Sequence, residues 1–416
     1  YVSEGRLLKM LNTEFEELTK LLSQKKDPNT RFFSFANTVA TLNYKKDNYS
    51  HGWLGVYFQI KPETPPNEVV LHVNLLERDA ILQQQTLGVL GVNLIWACIN
   101  KYDRPNDFIQ SLIENLSTDR VEITMLRMRG PDMDYVDNRL LGVQLVKNRM
   151  TSAIMFDRNG QVQQPADMLY KKNVLAFRGS FRPITYVGFD MLRSSYRLFK
   201  KDKDYDRDNT IALCEMTLNN LLEEGSLDER DFLARVNLLT GMGQNVMVSN
   251  FREYYKLSSY FGQFRIKNLR IVIGIPTFLN VLEKKYYKNL KGGIFEAFGK
   301  LFMDNMKLYV YPTISYVDLN DKKTGAKLIT SRNIPLEDDL EYLYKYLIKK
   351  RKIIDLEEVK KEWLHITSAY VLEMIKGEKE GWEKMVPNYI EKEIKKHKLF
   401  GFQQQATSQK RNSHDG

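Results

Sequence analysis

Residues 68–100, EVVLHVNLLERDAILQQQTLGVLGVNLIWACIN, decide how the fold is read from the sequence. The run VVLHVNLL is short and almost wholly apolar, as in a strand that is buried on both faces. A charged triplet follows, and then a long uncharged stretch with the length and pattern of a helix. A strand followed by a helix is the repeating element of an α/β protein.

The same alternation continues on both sides of a helical region. DRVEITMLRM, SAIMF and NVLAFRGSF read as further strands, with the helical patterns NRLLGVQLVKNRM and PADMLYKK between them. NVMVSNF, LRIVIGIP and MKLYVYPTI repeat the strand pattern later in the chain. The sequence therefore predicts an α/β fold with mostly parallel, Rossmann-like sheets joined by right-handed crossovers, a helical insertion and a helical C-terminal tail.

Breaks in these patterns predict six segments. They are an N-terminal helix with a small antiparallel piece (1–66), a first α/β unit (67–186), a helical insertion (187–240), a second α/β unit (241–335), a helical tail (336–402) and a disordered end (403–416). The first helix is expected over residues 4–24, where apolar residues recur every three or four positions.

Composition limits the class of protein. Of the 416 residues 43% are hydrophobic, and the formal net charge is +10, which favours an anionic partner but also fits an ordinary basic protein. The two cysteines, Cys98 and Cys214, lie in apolar stretches and are expected to be reduced and buried. No apolar run reaches the length of a membrane span, and the first residues lack a signal-peptide core, so we expect a cytoplasmic protein.

Basic residues follow two of the predicted strands. In open parallel sheets the ligand crevice lies beyond the carboxyl ends of the strands, and a guanidinium group there could bind a phosphate with two hydrogen bonds. The candidate anion-binding residues are Arg127, Arg129, Arg139, Lys171, Lys172, Arg178 and Arg182. Structural ion pairs with Asp134 and Asp137 are an equally good interpretation of several of them.

Three further positions are candidates for anion binding. Gly292 and Gly293 precede a helical pattern, where free N–H groups could receive a phosphate; the alternative is a simple helix break. Asn250 follows the strand pattern NVMVSN and could face the same crevice.

Glu77 and Asp79, at the turn after VVLHVNLL, are the candidate catalytic acid and base. An acidic helix start favoured by the helix dipole is the alternative interpretation. His72 reads as a core histidine. The chain has no grouping of histidine, cysteine and carboxylate at metal-ligand spacing, so no metal site is predicted and no cofactor is indicated.

Asp157, in SAIMFDRNGQV, raises a second enzymatic possibility. A haloacid-dehalogenase-like phosphotransferase uses an aspartate at a strand end, and Ser249, Asp318 and Asp321 follow in a suitable order. Asn159 stands where a second acid is usual, however, and Asn-Gly is typical of a tight turn, so Asp157 is also interpreted as a turn residue.

Segments such as HGWLGV, LERDAILQQQTLGVLGVNLIWA, LYKKNVLAFRGSFRPIT, NVMVSNFREYY and LKGGIFEAFGKLF resemble a poorly characterised bacterial family. Its members often carry the labels nicotinate-nucleotide adenylyltransferase or TonB-dependent receptor. The resemblance covers about residues 30–400 and implies nucleotide binding. The H-x-G-H and S-x-T-x-x-R motifs of a usual nucleotidylyltransferase are absent, and the helix-rich pattern departs from the second label.

Two functions of different class remain open. The first is a nucleotide-handling transferase that binds a nucleotide or a sugar phosphate in a cationic crevice. The second is a non-catalytic scaffold whose basic tail meets nucleic acid or an acidic protein; its candidate residues are Lys349, Lys350, Arg351, Lys352, Lys395 and Lys396. The sequence does not indicate an oligomeric state.

Overall fold

A computed structural model describes residues 2–22, 25–203, 205–222, 225–315 and 327–403. The chain forms two compact units, and each is described by itself. Unit 1 comprises Tyr1–Tyr170, Thr217–Asn219 and Gly243–Phe251, and unit 2 comprises the rest of the described chain. This division is coarser than the six predicted segments, which remain predictions.

The strands in chain order are β1 (Phe33–Ala40), β2 (His51–Phe58), β3 (Asn67–Leu75), β4 (Val121–Arg129), β5 (Ala153–Phe156), β6 (Val162–Gln163), β7 (Asn173–Arg178), β8 (Thr210–Thr217), β9 (Asn245–Ser249), β10 (Asn268–Gly274), β11 (Met306–Tyr311), β12 (Thr313–Ser315), β13 (Lys327–Ile329) and β14 (Ile353–Asp355).

The α-helices are α1 (Glu4–Leu22), α2 (Ala80–Asn100), α3 (Pro105–Leu112), α4 (Asn138–Lys147), α5 (Pro165–Leu169), α6 (Tyr186–Phe199), α7 (Leu218–Leu221), α8 (Glu229–Gly241), α9 (Tyr254–Gly262), α10 (Ile275–Leu282), α11 (Gly293–Leu301), α12 (Glu341–Lys349), α13 (Ser368–Lys376) and α14 (Asn388–His397). Helix α1 confirms the predicted N-terminal helix.

Unit 1 is built on a four-stranded antiparallel sheet in the order β1-β2-β3-β4. One face packs against α2, α3 and α4 through a core that includes Leu71, Leu94 and Phe108, each fully buried. On the other face α1 brings Leu7 and Leu11 against Gly55, where a Cβ atom would lie 2.8 Å from Leu11 Cδ1. The glycine therefore gives α1 room to pack on the sheet.

The expected parallel pairing of β3 and β4 is wrong. These strands are antiparallel because two helices, α2 and α3, connect them rather than one. A single crossover helix returns the chain to the end of the sheet where the first strand began, so the next strand is parallel to it. A pair of helices such as α2 and α3 returns the chain to the end where the first strand finished, so the next strand is antiparallel. A turn over residues 101–104 separates α2 from α3, whose first residue is Pro105, and the sequence prediction did not count α3 as a separate element.

Unit 1 also contains β5, which pairs antiparallel with β6 and with β9. The parallel orientation expected for the strand SAIMF is therefore wrong. All four residues of β5 are buried, so it is flanked by protein on both faces. Its apolar run has the same appearance in either orientation, which explains the error.

Unit 2 contains the parallel sheet, with five strands in the order β14-β11-β10-β7-β8. Every pair in this series is parallel. Because β7 precedes β8 and β10 in the chain and lies between them, the strand order reverses between β7 and β10. The predicted α/β class with a mostly parallel sheet and a helix-rich C-terminal region is thereby confirmed.

Two strands of this sheet lie in segments that the sequence predicts to be helical. β8 occupies residues within the predicted helical insertion, and β14 lies within the predicted helical tail. In β8 the run IALCEMT includes a buried glutamate, Glu215, which interrupts the apolar pattern of a central strand. The charge is accommodated by a partner on β7, a long-range contact that periodicity does not reveal.

Within the described residues, no helix combines the length and the apolar character that crossing a membrane requires. Asp318 and Asp321, and the predicted disordered end from residue 404 onward, lie outside the described residues. Cys98 and Cys214 are both free and fully buried, as predicted.

Gly130 makes a close approach to another part of the protein in unit 1. Its φ is +141°, and a Cβ atom there would lie 2.3 Å from Oδ1 of the buried Asn67. Asn67 in turn accepts from the N–H of Asp132 and donates to its carboxylate, both at 3.0 Å.

We predict that Gly130→Ala lowers the free energy of unfolding by about 2–4 kcal/mol, because it adds backbone strain and a steric clash. Gly5→Ala, in α1 with open space around it, is the matched control and should be neutral or slightly stabilising. Urea unfolding of both variants tests this; equal stabilities would show that the contact with Asn67 is unimportant.

Candidate functional site

Unit 2 has a cavity of about 300 Å³ at the carboxyl ends of β7, β10 and β11. We call it the switch-point pocket, because it lies where the strand order reverses between β7 and β10. Open α/β sheets bind ligands at this place, since the loops on the two sides diverge there. Its serine and threonine lining residues are Ser180, Thr185, Thr277, Thr313, Thr367 and Ser368.

Three helices begin at the switch-point pocket. Thr185 caps α6, Gly274 precedes α10 and Thr367 caps α13, and residues from the first turn of each helix line the cavity. First-turn N–H groups have no partner within their own helix, and the dipole makes this end positive. The hydroxyls of Thr185 and Thr367 accept from the N–H groups of Gly188 and Tyr370, and the three helix dipoles favour an anion at this end of the helices.

The loop between β7 and α6 forms one wall and is fixed at several points. The N–H of Gly179 donates to the Glu215 carbonyl at 3.0 Å. Arg235 Nη1 donates to the Ser180 carbonyl at 3.1 Å, and Ser368 Oγ donates to the Pro183 carbonyl at 2.9 Å. These hydrogen bonds hold the wall of the pocket in one conformation.

Phe181, in the same loop, has φ +51° and is almost fully buried. A bulky residue in the left-handed region is strained, and such strain concentrates at binding sites. Its ring packs edge-on against Phe177, with centroids 5.3 Å apart, and both rings line the pocket.

Arg178 is the predicted anion-binding residue that lines this pocket. It lies opposite Glu215 in the parallel register of β7 and β8. Arg178 Nε donates to Glu215 Oε2 at 2.8 Å and Nη2 to Oε1 at 2.9 Å, while Nη1 donates to the Arg252 carbonyl at 3.0 Å. Its guanidinium also lies 4.4 Å from the ring centroid of Tyr254. The arginine is thus held by protein on several sides.

The surroundings of Arg178 and Tyr254 keep each side chain in one protonation state. Burial alone would lower the pKa of Arg178, but the charge of Glu215 raises it above its usual value. Burial raises the pKa of Tyr254 to about 12, so its hydroxyl stays neutral. Among the described lining residues, Arg178, Tyr254 and Tyr311 are the titratable groups.

Arg182 lies in the same loop but bonds to a carboxylate of its own. Its Nε donates to Asp231 Oδ1 at 2.7 Å, and Arg235 pairs with the other oxygen of that carboxylate. Two guanidinium groups therefore share one carboxylate beside the loop.

Lys171 and Lys172 precede β7, whereas the switch-point pocket lies beyond its carboxyl end. A strand of six residues spans about 20 Å, so unit 2 does not bring these lysines to the pocket. Lys172 Nζ donates to Asn209 Oδ1 at 2.9 Å, which ties together the amino ends of β7 and β8.

In unit 1 a second cavity, of about 540 Å³, is lined by Arg127 and Arg139. Arg127 pairs with Glu4 and, at 3.0 Å, with Glu68. Arg139 Nη2 lies 2.6 Å from Asp137 Oδ2. The structure thus brings these two arginines together but gives each a carboxylate.

Arg129 belongs to the same unit, and its Nη2 donates to Gln161 Oε1 at 3.2 Å. Asn250 follows β9, and its N–H donates to the Ser152 carbonyl at 3.0 Å. An anion-binding role for either residue stays a prediction.

Glu77 and Asp79, the predicted acid and base, have structural contacts in unit 1. Glu77 pairs with Arg120 Nε at 2.7 Å and accepts from Thr86 Oγ1 at 2.7 Å. Asp79 is the N-cap of α2 and accepts from the N–H groups of Ile81 and Leu82. A catalytic role for them stays a prediction.

Gly292 and Gly293 open α11 in unit 2. The N–H of Gly292 donates to Glu296 Oε2 at 3.0 Å, and Gly293 has φ +52°. A carboxylate of the helix itself therefore occupies one of the N–H groups that the sequence suggested for an anion.

Asp157 occupies the turn between β5 and β6, and the turn interpretation is confirmed. Its Oδ1 accepts from the N–H groups of Asn159 at 2.8 Å and Gln161 at 2.9 Å. These bonds close the turn and leave the carboxylate engaged with its own loop.

His72 is a core histidine, as predicted. Its Nδ1 lies 2.6 Å from Thr124 Oγ1, and its Nε2 lies 3.0 Å from His51 Nδ1. Burial lowers the pKa of His72 to about 3, so it is neutral at physiological pH. Among the residues that the structure describes, no three His, Cys, Asp or Glu side chains form a group that could hold a metal ion.

The lysines of the C-terminal region are interleaved with acceptors. Lys395 lies 2.9 Å from Glu391 and 3.2 Å from Glu383, and Lys352 Nζ donates to the carbonyls of Met303 and Asp304. These contacts favour a solvated, locally paired surface over a continuous phosphate-binding stripe. Nucleic-acid binding by this region stays a prediction.

The sequence prediction missed the residues of α10 and α13 that line the switch-point pocket. Local signals were present: Gly-Ile-Pro ends the strand pattern before Thr277, and Thr367-Ser368 is a typical helix start. Nothing local shows that these starts share one pocket, because that depends on strand order.

No known family model matches the chain, and no curated protein sequence is significantly similar to it. Among the solved structures that are weakly similar to the chain are two adenylyltransferases. The nicotinic acid mononucleotide adenylyltransferase of Plasmodium falciparum complexed with APC is 15% identical with a TM-score of 0.33, covering 56% of this chain and 98% of its own. A proposed nicotinate-nucleotide adenylyltransferase of Vibrio parahaemolyticus is 12% identical with a TM-score of 0.29, and the match covers 55% of this chain and 96% of that protein. Neither is a TonB-dependent receptor, and TM-scores this low do not establish a common fold or bear on activity.

We predict that Arg178→Ala lowers the free energy of unfolding by about 3–5 kcal/mol, because Glu215 would keep a buried charge without its partner. The double variant Arg178→Met/Glu215→Leu should lose less than either single variant, since it removes both charges. Urea unfolding measures all three. A cost below about 1 kcal/mol for Arg178→Ala would contradict the structural role of the pair.

Proposed function

We propose that unit 2 binds a nucleotide or another phosphorylated metabolite in the switch-point pocket. The observation that carries this proposal is the convergence of three helix N-termini, those of α6, α10 and α13, on one cavity at the carboxyl edge of a parallel sheet. Backbone N–H groups and dipoles aimed at one place favour an anion, and a phosphate is the group most often found there.

The lining of the pocket suits a ligand with an anionic end and an apolar or aromatic body. Hydroxyl groups of Ser180, Thr185 and Thr277 can donate to phosphoryl or sugar oxygens, while Phe177 and Phe181 offer an apolar wall. Arg178 adds a permanent positive charge, which Glu215 largely balances. The phosphate is therefore held mainly by N–H groups and hydroxyls.

We further propose that a reaction at this site is a transfer on the bound phosphate. Phosphoryl and nucleotidyl transfer depend on positioning and on electrostatic stabilisation of oxygen charge more than on a protein acid or base. The described lining residues can provide the positioning and the electrostatic stabilisation of oxygen charge.

A thermal-shift screen with inorganic phosphate, nucleoside mono-, di- and triphosphates and sugar phosphates tests the binding. A ligand present well above its dissociation constant should raise the unfolding temperature by about 2–4 °C, because it binds only the folded state. Gly274→Val should abolish the shift: its Cβ would meet only Pro276 at 3.8 Å and Met191 at 3.9 Å, so the fold tolerates it while the pocket is narrowed.

Gly299→Val is the matched control, because Gly299 lies in α11 with open space around it. It should retain the full shift. The binding proposal fails if no phosphorylated compound shifts the wild-type protein, or if Gly274→Val and Gly299→Val respond alike.

A further inference from the structure

We propose that the exposed face of α2 is a self-association surface on which a second copy of this chain packs its own α2, antiparallel, around a two-fold axis. This α2 face consists of Ile81, Gln85, Gly88, Val92, Trp96 and Ile99. The proposal concerns unit 1 and is independent of the ligand proposed for unit 2.

The α2 face is an uncharged and mostly apolar stripe, interrupted by Gln85, on the solvent side of a helix whose other side forms the core. Ile81 is 67% exposed, Val92 66% and Trp96 45%, whereas Leu90 and Leu94 are fully buried. Intervals of three and four residues place the members of the α2 face above one another along the helix. None of the 21 residues of α2 is charged.

Such a face is unusual for a helix whose outer side is exposed to solvent, because the outer side of an amphipathic helix is normally charged or polar. The exposed parts of its apolar side chains amount to roughly 500 Å², at the upper end of what a monomer shows. Two copies burying this area would remove roughly 1,000 Å² from water, which is the lower bound for a specific interface.

The order of residues along α2 fits a second copy of the same helix. Ile81 and Ile99 lie equally far from Leu90 in the sequence, and so do Gly88 and Val92. In an antiparallel pair Ile81 of one copy therefore meets Ile99 of the other, and the same contact occurs at the other end of the helix. Gly88, which has open space above its Cα atom, receives Val92. A two-fold interface requires this kind of self-complementarity.

Charges at the two ends of α2 favour the same arrangement. Asp79, the N-cap, and Lys101, the C-cap, are also equidistant from Leu90. Antiparallel pairing brings the Asp79 end of one copy to the Lys101 end of the other, where Lys101 also lies 3.7 Å from Asp107 of its own chain, and it sets opposite ends of the two helix dipoles side by side. A parallel pair would bring like charges together at both ends.

Sedimentation analysis of the full chain from about 1 to 100 µM tests the association. Wild type should form a dimer, and Val92→Glu should weaken it at least ~10-fold, because the new carboxylates would be desolvated in the interface. Leu21→Glu, which alters another exposed apolar residue, 66% exposed on α1, is the matched control and should dimerise normally.

A cross-linking experiment tests the orientation. Ile81→Cys/Ile99→Cys should give a disulfide-linked dimer under mild oxidation, whereas each single variant should not. The two positions are about 27 Å apart along one helix, too far for an internal disulfide. The native cysteines are buried and should not react in the folded protein.

A wild-type protein that stays monomeric over the whole range overturns the proposal, as does a dimer that Val92→Glu leaves intact. Efficient cross-linking of the single variants would contradict the antiparallel arrangement. If Val92→Glu fails to fold, the cysteine variants still decide the outcome.

Discussion

Parallel alignment of β7, β10 and β11 is the constraint on which the candidate site depends. Each strand ends at the same edge of the sheet, so the connections that follow must begin there. The strand order reverses between β7 and β10, which makes their connections diverge and leaves a cavity. The starts of α6 and α10 follow directly from this geometry, and α13 reaches the same cavity from the C-terminal region.

Most of the arginines near these strands stabilise the structure that holds the site. Arg178 binds Glu215 across two strand ends, and Arg182 and Arg235 share Asp231 beside the β7–α6 loop. Separating such buried pairs is costly, so they fix the loop in one conformation. In the proposed function this rigid backbone would present N–H groups to an anion at little entropic cost, so the proposed phosphate binding does not depend on the number of basic side chains.

Much of the fold could be predicted from local sequence, but the composition of the site could not. The boundaries of α1, β7 and β10 follow from apolar periodicity and from breaks such as Pro276. The strand β8 was missed because Glu215 interrupts its apolar run, and its partner is distant in the chain. Likewise, arginines after strands suggested an anion site, yet only strand order shows which helix starts meet. Pairing partners, orientation and strand order are long-range properties that a local pattern does not contain.

The most direct test of the central claim is a backbone amide NMR titration of the full chain with a nucleoside monophosphate. The largest shifts should fall on first-turn N–H groups of α6, α10 and α13, including those of Val187, Thr277 and Ser368. Saturable shifts confined to other parts of the chain, with these amides unchanged, would contradict the claim.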